Sequence, residues 1–289
     1  RGHRALLKQL VAGAQERGLV SCVMTFEPHP KEFFAPEQAP PRIMNLRDKL
    51  AAFASIGIDR VVVEHFNSAF ARLSPAEFVA EIIVKQLNAK WILIGDDFRY
   101  GAKRAGNFAS LKAAGQQYGF EVSSIQTILE DGERISSSAL RAALAKGDMK
   151  LAEKLLGRPY GISGHVIHGQ KLGRTLGFPT LNLAVANHLH HRKPATTGIF
   201  AARVLGLSEK PLPAVASLGV RPTVEDQGRV LLETHVFDYQ QDIYGKIITV
   251  ELLEKIRDEA KYDDLETLTN AIAADAKHAR NYFQKKAYV

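Results

Sequence analysis

The spacing of apolar residues divides the chain into two halves with different secondary structure. In the first half, short apolar runs typical of strands alternate with stretches whose apolar residues recur at helical spacing. The runs predict strands at 19–26, 60–65, 91–94 and 120–125, and helices lie between them at 46–56, 75–87, 108–118, 137–145 and 149–156. Strand followed by helix, repeated, predicts a parallel sheet covered on both faces.

After about residue 157 the helical spacing gives way to short strand-like runs. They lie at 162–168, 198–205, 214–220, 231–237 and 247–256, and a helical stretch at 265–284 follows. Several short strands separated by Gly and Pro turns favour a β-barrel or sandwich. The segment 157–161, Gly-Arg-Pro-Tyr-Gly, is the predicted boundary. We therefore expect one domain over 1–157 and a second over 158–289.

The chain opens directly on a helical pattern, with no strand before it. The apolar face of this helix consists of Leu6, Leu7, Leu10, Val11 and Ala14. In an α/β domain a strand commonly precedes such a helix. We therefore expect that the first strand of the domain, upstream of Arg1, is missing from the sequence as given.

Composition and charge narrow the class of protein. A single cysteine, Cys22, excludes an internal disulfide. No apolar run approaches the roughly 18 residues that a membrane span needs, so we expect a cytoplasmic location. The net charge of +7 is divided evenly between the two halves, with no basic arm or block. This distribution suits small molecules that carry phosphate at least as well as nucleic acid.

A glycine-rich run in the second half is a candidate phosphate contact. Glycine recurs at every fourth position, at Gly169, Gly173 and Gly177, and Lys171 and Arg174 lie between. Glycine lets backbone N–H groups approach a phosphate, and the two cations can offset its charge. The run is not a Walker A loop, and an ordinary turn explains it better when it is taken alone.

Thr180 and Asn182 follow this run and are two residues apart. On a strand such positions point to the same side, so a hydroxyl and an amide oxygen can face one hard cation such as Mg²⁺. A surface Thr and Asn on a strand is the simpler explanation of the pair by itself.

The order of these parts resembles the riboflavin kinase family over the whole second half. Gly-Phe-Pro-Thr-Leu-Asn at 177–182 is followed by Leu-Gly-Val-Arg-Pro-Thr at 218–223, Leu-Glu-Thr-His at 232–235 and Asp-Ile-Tyr-Gly at 242–245. The resemblance implies a six-stranded antiparallel barrel with a C-terminal helix packed beside it.

The same resemblance implies a role for each matching residue. The ATP contacts would be Gly169, Lys171, Gly173, Arg174, Gly177 and Thr180, and Thr180 with Asn182 would hold Mg²⁺. Glu233 would be the general base, because a primary alcohol needs a proton acceptor as it attacks the γ-phosphorus. The flavin contacts would be Arg221, Thr223 and Arg257.

Three polar segments of the first half lie at predicted strand ends or at a helix start. They are Thr-Phe-Glu-Pro-His-Pro at 25–30, Gly-Asp-Asp-Phe-Arg-Tyr-Gly at 95–101 and Ile-Ser-Ser-Ser-Ala-Leu-Arg at 135–141. In open parallel sheets ligands bind beyond the carboxyl ends of strands, and Ser and Arg at a helix start suit a phosphate. Each segment alone is also compatible with a simple cap or turn.

Together, ahead of a kinase-like half, these segments resemble the adenylyltransferase module of bacterial bifunctional FAD synthetases. That module has a Rossmann-like fold and belongs to the HxGH nucleotidylyltransferase superfamily. Gly2 and His3 match the end of the HxGH motif, whose first His would precede Arg1, and His3 would stabilise charge on the ATP phosphates. The other implied ATP and FMN contacts are His29, Asp97, Phe98, Ser137, Ser138 and Arg141. Ser138 stands where many members have Thr, and Asp97 where some have Asn.

The sequence thus predicts a bifunctional transferase that makes FMN from riboflavin and FAD from FMN, with ATP as co-substrate and Mg²⁺ in both steps. Two alternatives stay open. One is a riboflavin kinase whose N-terminal domain is inactive and binds nucleotide, and the other is a basic nucleic-acid-binding protein. The aromatic residues Trp91, Phe33, Phe34, Phe53 and Phe98 are expected in the core, although Phe98 could contact a flavin.

Overall fold

Contacts divide the chain into two compact units, Arg1–Ala39 with Leu50–Ile135 and Pro40–Lys49 with Ser136–Val289. The computed structural model describes residues 2–95, 97–125, 129–130, 133–134, 137–169, 172–185, 194–220, 230–239, 241 and 243–286. The expected boundary between residues 157 and 158 stays a prediction, because units defined by contacts need not coincide with domains defined by function.

The first unit contains two pairs of parallel strands, as the alternating pattern predicts. β1 (Cys22–Glu27) pairs with β2 (Arg60–His65), and β3 (Trp91–Gly95) pairs with β4 (Glu121–Ile125). Two short antiparallel strands follow, β5 (Leu129–Glu130) and β6 (Glu133–Arg134). The helices before residue 120 are α1 (Gly2–Glu16), α2 (Pro30–Phe34), α3 (Leu46–Ile56), α4 (Ser68–Ala71), α5 (Pro75–Glu77) and α6 (Phe108–Tyr118). Short 3₁₀ turns lie at Pro36–Gln38 and Ala102–Arg104.

The predicted helix at 75–87 starts as expected and then changes its period. Ser74 caps α5, and its hydroxyl accepts the N–H of Glu77 while the Glu77 carboxylate accepts the N–H of Ser74. This reciprocal capping and the Pro at the first helical position define the start. Beyond α5 the chain continues as a π-helix over Phe78–Gln86. The Leu87 N–H bonds to the carbonyl five residues back, that of Ile82, which is the hydrogen-bond pattern of a π-helix.

The core of the first unit is formed by the π-helix, β3 and α6. Its buried members are Phe78, Val79, Ile82, Ile83, Ile94, Tyr100, Leu111 and Phe120. The expectation that Phe33 and Phe34 belong to the core is wrong, since they are 36% and 67% exposed. They lie on the five-residue helix α2, which has no buried residue. Trp91 and Phe53 are half-buried.

The second unit contains a closed barrel of six antiparallel strands, which confirms the predicted fold. The strands are β7 (Tyr160–Ile167), β8 (Leu181–Ala184), β9 (Gly198–Leu205), β10 (Leu212–Val220), β11 (Val230–Val236) and β12 (Ile247–Arg257). They close in the order β10-β11-β8-β7-β12-β9. The helices of this part are α7 (Ser137–Lys146), α8 (Met149–Leu156), α9 (Leu172–Thr175) and α10 (Leu265–Lys285). The four-residue helix α9, inside the glycine-rich run, was not predicted.

Side chains alternate between the two faces of the barrel strands. One set fills the interior of the barrel, and part of the outer face is covered by α10. In β11 every second residue from Val230 to Val236 is buried, and the residues between them are half-buried. The interior includes Phe200, Leu183, Leu218, Leu232 and Val250, all 0% exposed. On the outside, α10 packs residues such as Ala279 and Phe283 with Ile199 and Val215 of the barrel.

A segment from the first half of the sequence packs within the second unit. The Asn45 side-chain amide donates to the Ser163 carbonyl oxygen at 2.9 Å, and the Asp48 carboxylate accepts the Ser163 hydroxyl. Burial raises the pKa of Asp48. Hydrophobic spacing carries no information about a contact between residues more than 100 positions apart, so the sequence did not predict this packing.

Candidate active site of the barrel unit

A cavity of about 190 Å³ lies beside the barrel, against α10. Its apolar lining includes Leu176, Phe178, Ile199, Val215, Leu268 and Ile272, and its polar lining includes Thr180, Asn182, Ser217, Glu233, His235 and Asp275. An apolar pocket with a few converging polar groups is the usual form of a small-molecule site. The structure therefore brings the predicted Thr180, Asn182 and Glu233 together in one cavity.

The Asn182 side chain is a buried group whose oxygen has no hydrogen-bond partner in the described part of the chain. Asn182 is 6% exposed, and its Oδ1 accepts no hydrogen bond from the described residues. Asn182 on β8 stands directly opposite Glu233 on β11. A buried polar atom without a partner costs free energy, and a hard cation coordinated by oxygen would remove that cost. The donor set of Thr180, Asn182 and a nearby carboxylate therefore fits Mg²⁺.

The structure explains why glycine occupies positions 169 and 177 of the predicted ATP loop. A Cβ on Gly169 would lie 2.6 Å from Cγ of Asn182, so any side chain there would displace the Asn182 amide. Gly177 has φ +81°, a conformation that favours glycine. The Gly173 carbonyl accepts the N–H of Phe178 at 2.7 Å, which folds the loop back toward β8. Lys171 and the side chain of Arg174 lie outside the described residues.

A second carboxylate, Glu259, lies near the expected base. Ser217 is paired with Glu233 across β10 and β11, and its hydroxyl donates to Oε1 of Glu259 at 3.3 Å. Burial, and then the like charge of Glu233, raise the pKa of Glu259. Ser217 and Glu259 were not predicted from the sequence, because their proximity to Glu233 depends on the strand register of β10 and β11 and on where the chain turns after β12.

Arg257, an expected flavin contact, forms a two-pronged ion pair at the edge of the cavity. Its Nε donates to Oδ1 of Asp275 at 2.9 Å and its Nη2 donates to Oδ2 at 2.6 Å. Asp275 is buried on α10 and lines the cavity, and its hydrogen bonds raise the pKa of Arg257. No sequence signal distinguished Asp275 from other helical acids. The other two expected flavin contacts, Arg221 and Thr223, lie outside the described residues.

Replacing Asp275 with Asn is expected to destabilise the protein by about 3 kcal/mol, since breaking a buried ion pair leaves an uncompensated charge. The guanidinium is 29% exposed, which places the effect at the low end for such pairs. Thermal unfolding followed by far-UV circular dichroism measures it. The matched control is Asp238→Asn, which breaks the exposed pair of Asp238 with Arg280 and should cost under about 1 kcal/mol. Equal losses in the two variants would contradict the buried-pair argument.

The expected contacts of the first unit lie at helix starts and strand ends. Gly2 begins α1, and His3 is exposed in its first turn. His29 follows the carboxyl end of β1 and caps α2, with its Nδ1 accepting the N–H of Lys31 at 3.2 Å. Asp97, which is exposed, and Phe98 follow β3, and the Phe98 ring stacks on Tyr100 at 5.7 Å between centroids.

The remaining expected contacts lie in the second unit. Ser137 begins α7, and Ser138 is exposed in its first turn. Arg141 is half-buried one turn further on, and its Nε donates to the Pro41 carbonyl oxygen at 2.8 Å. Burial lowers the pKa of Arg141. The roles of these three residues in ATP binding stay predictions.

An exposed aromatic cluster follows the carboxyl ends of β1 and β2. The rings of Phe33 and Phe34 each contact Phe66 edge-to-face, at 5.4 and 5.6 Å between centroids. Phe66 directly follows the last residue of β2 and contacts Phe26 of β1. Large exposed apolar groups at a strand end suggest a binding surface. This surface was not predicted from the sequence, because both rings were expected in the core.

Comparison with known proteins assigns the family. Residues 1–139 match the family model described as FAD synthetase, and residues 156–283 match the model described as riboflavin kinase. A bifunctional riboflavin kinase/FMN adenylyltransferase of Escherichia coli (strain K12) is 47% identical, over 98% of this chain and 89% of its own length. The chain belongs to this family. The resemblance recognised in the sequence is thereby confirmed.

Other members are nearly as similar. The protein of the same description from Pseudomonas fluorescens is 44% identical, over 97% of this chain and 88% of its own length. The protein of this description from Haemophilus influenzae is 42% identical, over 98% of this chain and 90% of its own length. A solved structure titled macrolide-efflux protein from Streptococcus pneumoniae is 31% identical and superposes with a TM-score of 0.75, over 97% of this chain and 90% of that one. In the described part of this chain, no helix is both long and apolar enough to cross a membrane.

Proposed function

We propose that this protein phosphorylates riboflavin to FMN in its barrel and adenylylates FMN to FAD with its N-terminal half, using one ATP in each step. The observation that carries the kinase assignment is the convergence of Thr180, Asn182 and Glu233 on one cavity with apolar walls. The family membership carries the second activity. The even distribution of charge supports nucleotide substrates over a nucleic-acid partner.

In the kinase reaction the primary hydroxyl of riboflavin attacks the γ-phosphorus of ATP. The new O–P bond forms as the bond between the γ-phosphorus and the β,γ-bridging oxygen breaks, and ADP leaves. Glu233 accepts the hydroxyl proton. Thr180 and Asn182 would hold Mg²⁺, which when bound neutralises charge on the phosphates. The apolar walls, which include Phe178 and Ile272, would exclude water and hold the flavin ring.

In the second reaction a phosphate oxygen of FMN attacks the α-phosphorus of ATP, and pyrophosphate leaves. Catalysis of this kind depends on alignment and on charge stabilisation. His3, Ser137 and Arg141 would bind the ATP phosphates. The exposed rings of Phe33 and Phe34, which contact each other edge-to-face at 5.2 Å between centroids, would supply an apolar surface for the flavin, since aromatic rings favour stacked and edge-to-face contact. A single cysteine and ATP-dependent chemistry support a cytoplasmic location.

The direct test is incubation with ATP, Mg²⁺ and either riboflavin or FMN, followed by chromatographic separation of the flavins. We expect riboflavin to yield FMN and then FAD, and supplied FMN to yield FAD and pyrophosphate. Chelation of Mg²⁺ with EDTA should stop both reactions. FAD from FMN without FMN from riboflavin would refute the kinase assignment, and the reverse result would support a kinase with an inactive nucleotide-binding half. Tight, salt-sensitive RNA binding without flavin turnover would refute both the kinase and the adenylyltransferase assignments.

A further inference from the structure

His235 lies on the same face of β11 as the expected base. Residues 231, 233 and 235 alternate with the buried residues of this strand, so Glu233 and His235 point to one side. Both line the cavity. His235 belongs to the Leu-Glu-Thr-His motif at 232–235, where no role was predicted for it, and the kinase reaction described above does not use it.

The His235 ring is held in a defined orientation. Its Nδ1 lies 2.8 Å from the Pro179 carbonyl oxygen. A carbonyl oxygen can only accept a hydrogen bond, so Nδ1 must carry the hydrogen. The ring also contacts Phe178 and Phe237 edge-to-face, at 5.5 and 5.7 Å between centroids. Two aromatic neighbours and one hydrogen bond restrict both the position and the tilt of the imidazole.

The bonded carbonyl belongs to the residue before Thr180, at the point where the sheet ladder stops. Backbone pairing of β8 with β11 runs from Ala184 opposite Leu231 to Leu181 opposite Thr234. Continued by one residue, this register would set Thr180 opposite His235. Residues 178–180 carry no strand assignment, and Pro179 has no N–H to extend the ladder. The His235 side chain therefore bonds to the chain just beyond the last backbone pair.

We propose that His235 is a positioning residue of the kinase, whose Nδ1–H holds the Pro179 carbonyl and so places the Thr180 hydroxyl beside Asn182 and Glu233. The proposal rests on the assignment of Thr180 and Asn182 as ligands of Mg²⁺. Without this bond the Phe178–Thr180 segment would keep the Phe178 N–H bond to the Gly173 carbonyl at one end and the β8 ladder at the other. Between these points the Thr180 carbonyl would keep the hydrogen bond from the Asn182 amide, which at 3.5 Å is long and restricts the direction of the Thr180 hydroxyl weakly.

Three substitutions of His235 distinguish a positioning role through Nδ1 from direct contact through Nε2 and from aromatic packing alone. Asn at position 235 can present its amide N–H near the place of Nδ1, Gln can present one near the place of Nε2, and Phe keeps an aromatic ring without a donor. For each variant the rate of FMN formation is measured as a function of Mg²⁺ concentration, and Mg²⁺ binding without turnover is measured by calorimetric titration in the presence of ADP. Loss of a residue that orients a metal ligand typically costs 10- to 100-fold in metal affinity or activity.

We expect His235→Phe and His235→Gln to raise the Mg²⁺ concentration for half-maximal rate about 10- to 100-fold, and His235→Asn to recover most of the wild-type response. Recovery by Gln and not by Asn would overturn the proposal, because it would indicate direct contact through Nε2. Equal Mg²⁺ responses in all variants would also overturn it. If His235→Phe does not fold, the difference in Mg²⁺ response between His235→Asn and His235→Gln still tests whether the Nδ1 hydrogen bond positions Thr180. A wild-type protein that makes no FMN would refute the kinase assignment itself, so the two failures are distinguishable.

Discussion

Replacing Glu233 with Gln is expected to lower the rate of riboflavin phosphorylation by about 10²- to 10⁴-fold, the usual contribution of a positioned general base. Gln has nearly the same shape as Glu but cannot accept the hydroxyl proton. Since the half-buried Glu233 side chain lines the cavity beside Asn182, the substitution should leave the fold and ATP binding nearly intact. The measurement is the initial rate of FMN formation at saturating ATP and Mg²⁺.

Two controls define this result. Conversion of supplied FMN to FAD by the same variant should continue, because this step is assigned to the N-terminal half. Glu209→Gln, at an exposed position in the turn after β9, should leave FMN formation unchanged. An unchanged kcat in Glu233→Gln would exclude Glu233 as the base, and loss of both activities would indicate a general structural effect.

Replacing Asn182 with Leu is expected to lower FMN formation roughly 100-fold at a fixed Mg²⁺ concentration, equivalent to about 2.7 kcal/mol of transition-state stabilisation. The reason is the loss of the amide oxygen that fits the cation. The same substitution should leave stability unchanged or raise it by about 1 kcal/mol, because it removes a buried oxygen that lacks a partner among the described residues. Loss of activity without loss of stability is the signature of a ligand-binding group.

The comparison uses two further variants. Asn182→Asp keeps an oxygen at this position and should retain more activity than Asn182→Leu. Thr196→Val removes another buried oxygen without a partner in the described part of the chain, but Thr196 is not among the residues lining the cavity. It should therefore leave FMN formation unchanged. A lower thermal midpoint in Asn182→Leu together with normal Mg²⁺ dependence would contradict the assignment.

Local pattern predicted most of the secondary structure. The strands at 60–65 and 91–94 and the helices at 46–56, 108–118 and 149–156 lie where hydrophobic spacing placed them. The exceptions have local causes. The π-helix after α5 and the four-residue α9 in the glycine loop have no distinct hydrophobic period in the sequence. Phe33 and Phe34 have the apolar character of core residues, but α2 leaves them exposed.

Site residues that are close together in the sequence could be predicted from local pattern, and those that are far apart could not. Thr180 and Asn182 are close in sequence, and their shared direction follows from strand geometry. Glu233 was selected by resemblance to a family, and strand register explains why it faces Asn182. Ser217 on β10, Glu259 in the segment between β12 and α10, and Asp275 on α10 were missed, because they reach the site through contacts that no local pattern records. His235, two residues after Glu233 on β11, was given no role.

The sequence by itself determined the two-part organisation, the parallel pairing in the first half, the barrel in the second and the family to which the chain belongs. These properties depend on local periodicity and on motifs read in order. The tertiary structure alone decided that Asn182 Oδ1 is buried without a partner among the described residues, that Asp275 holds Arg257 and that the 40–49 segment belongs to the second unit. The first two depend on the closure of the barrel and the packing of α10, and the third depends on the contacts of Asn45 and Asp48 with Ser163 of β7. In all three, the fold brings together residues that are distant in the chain.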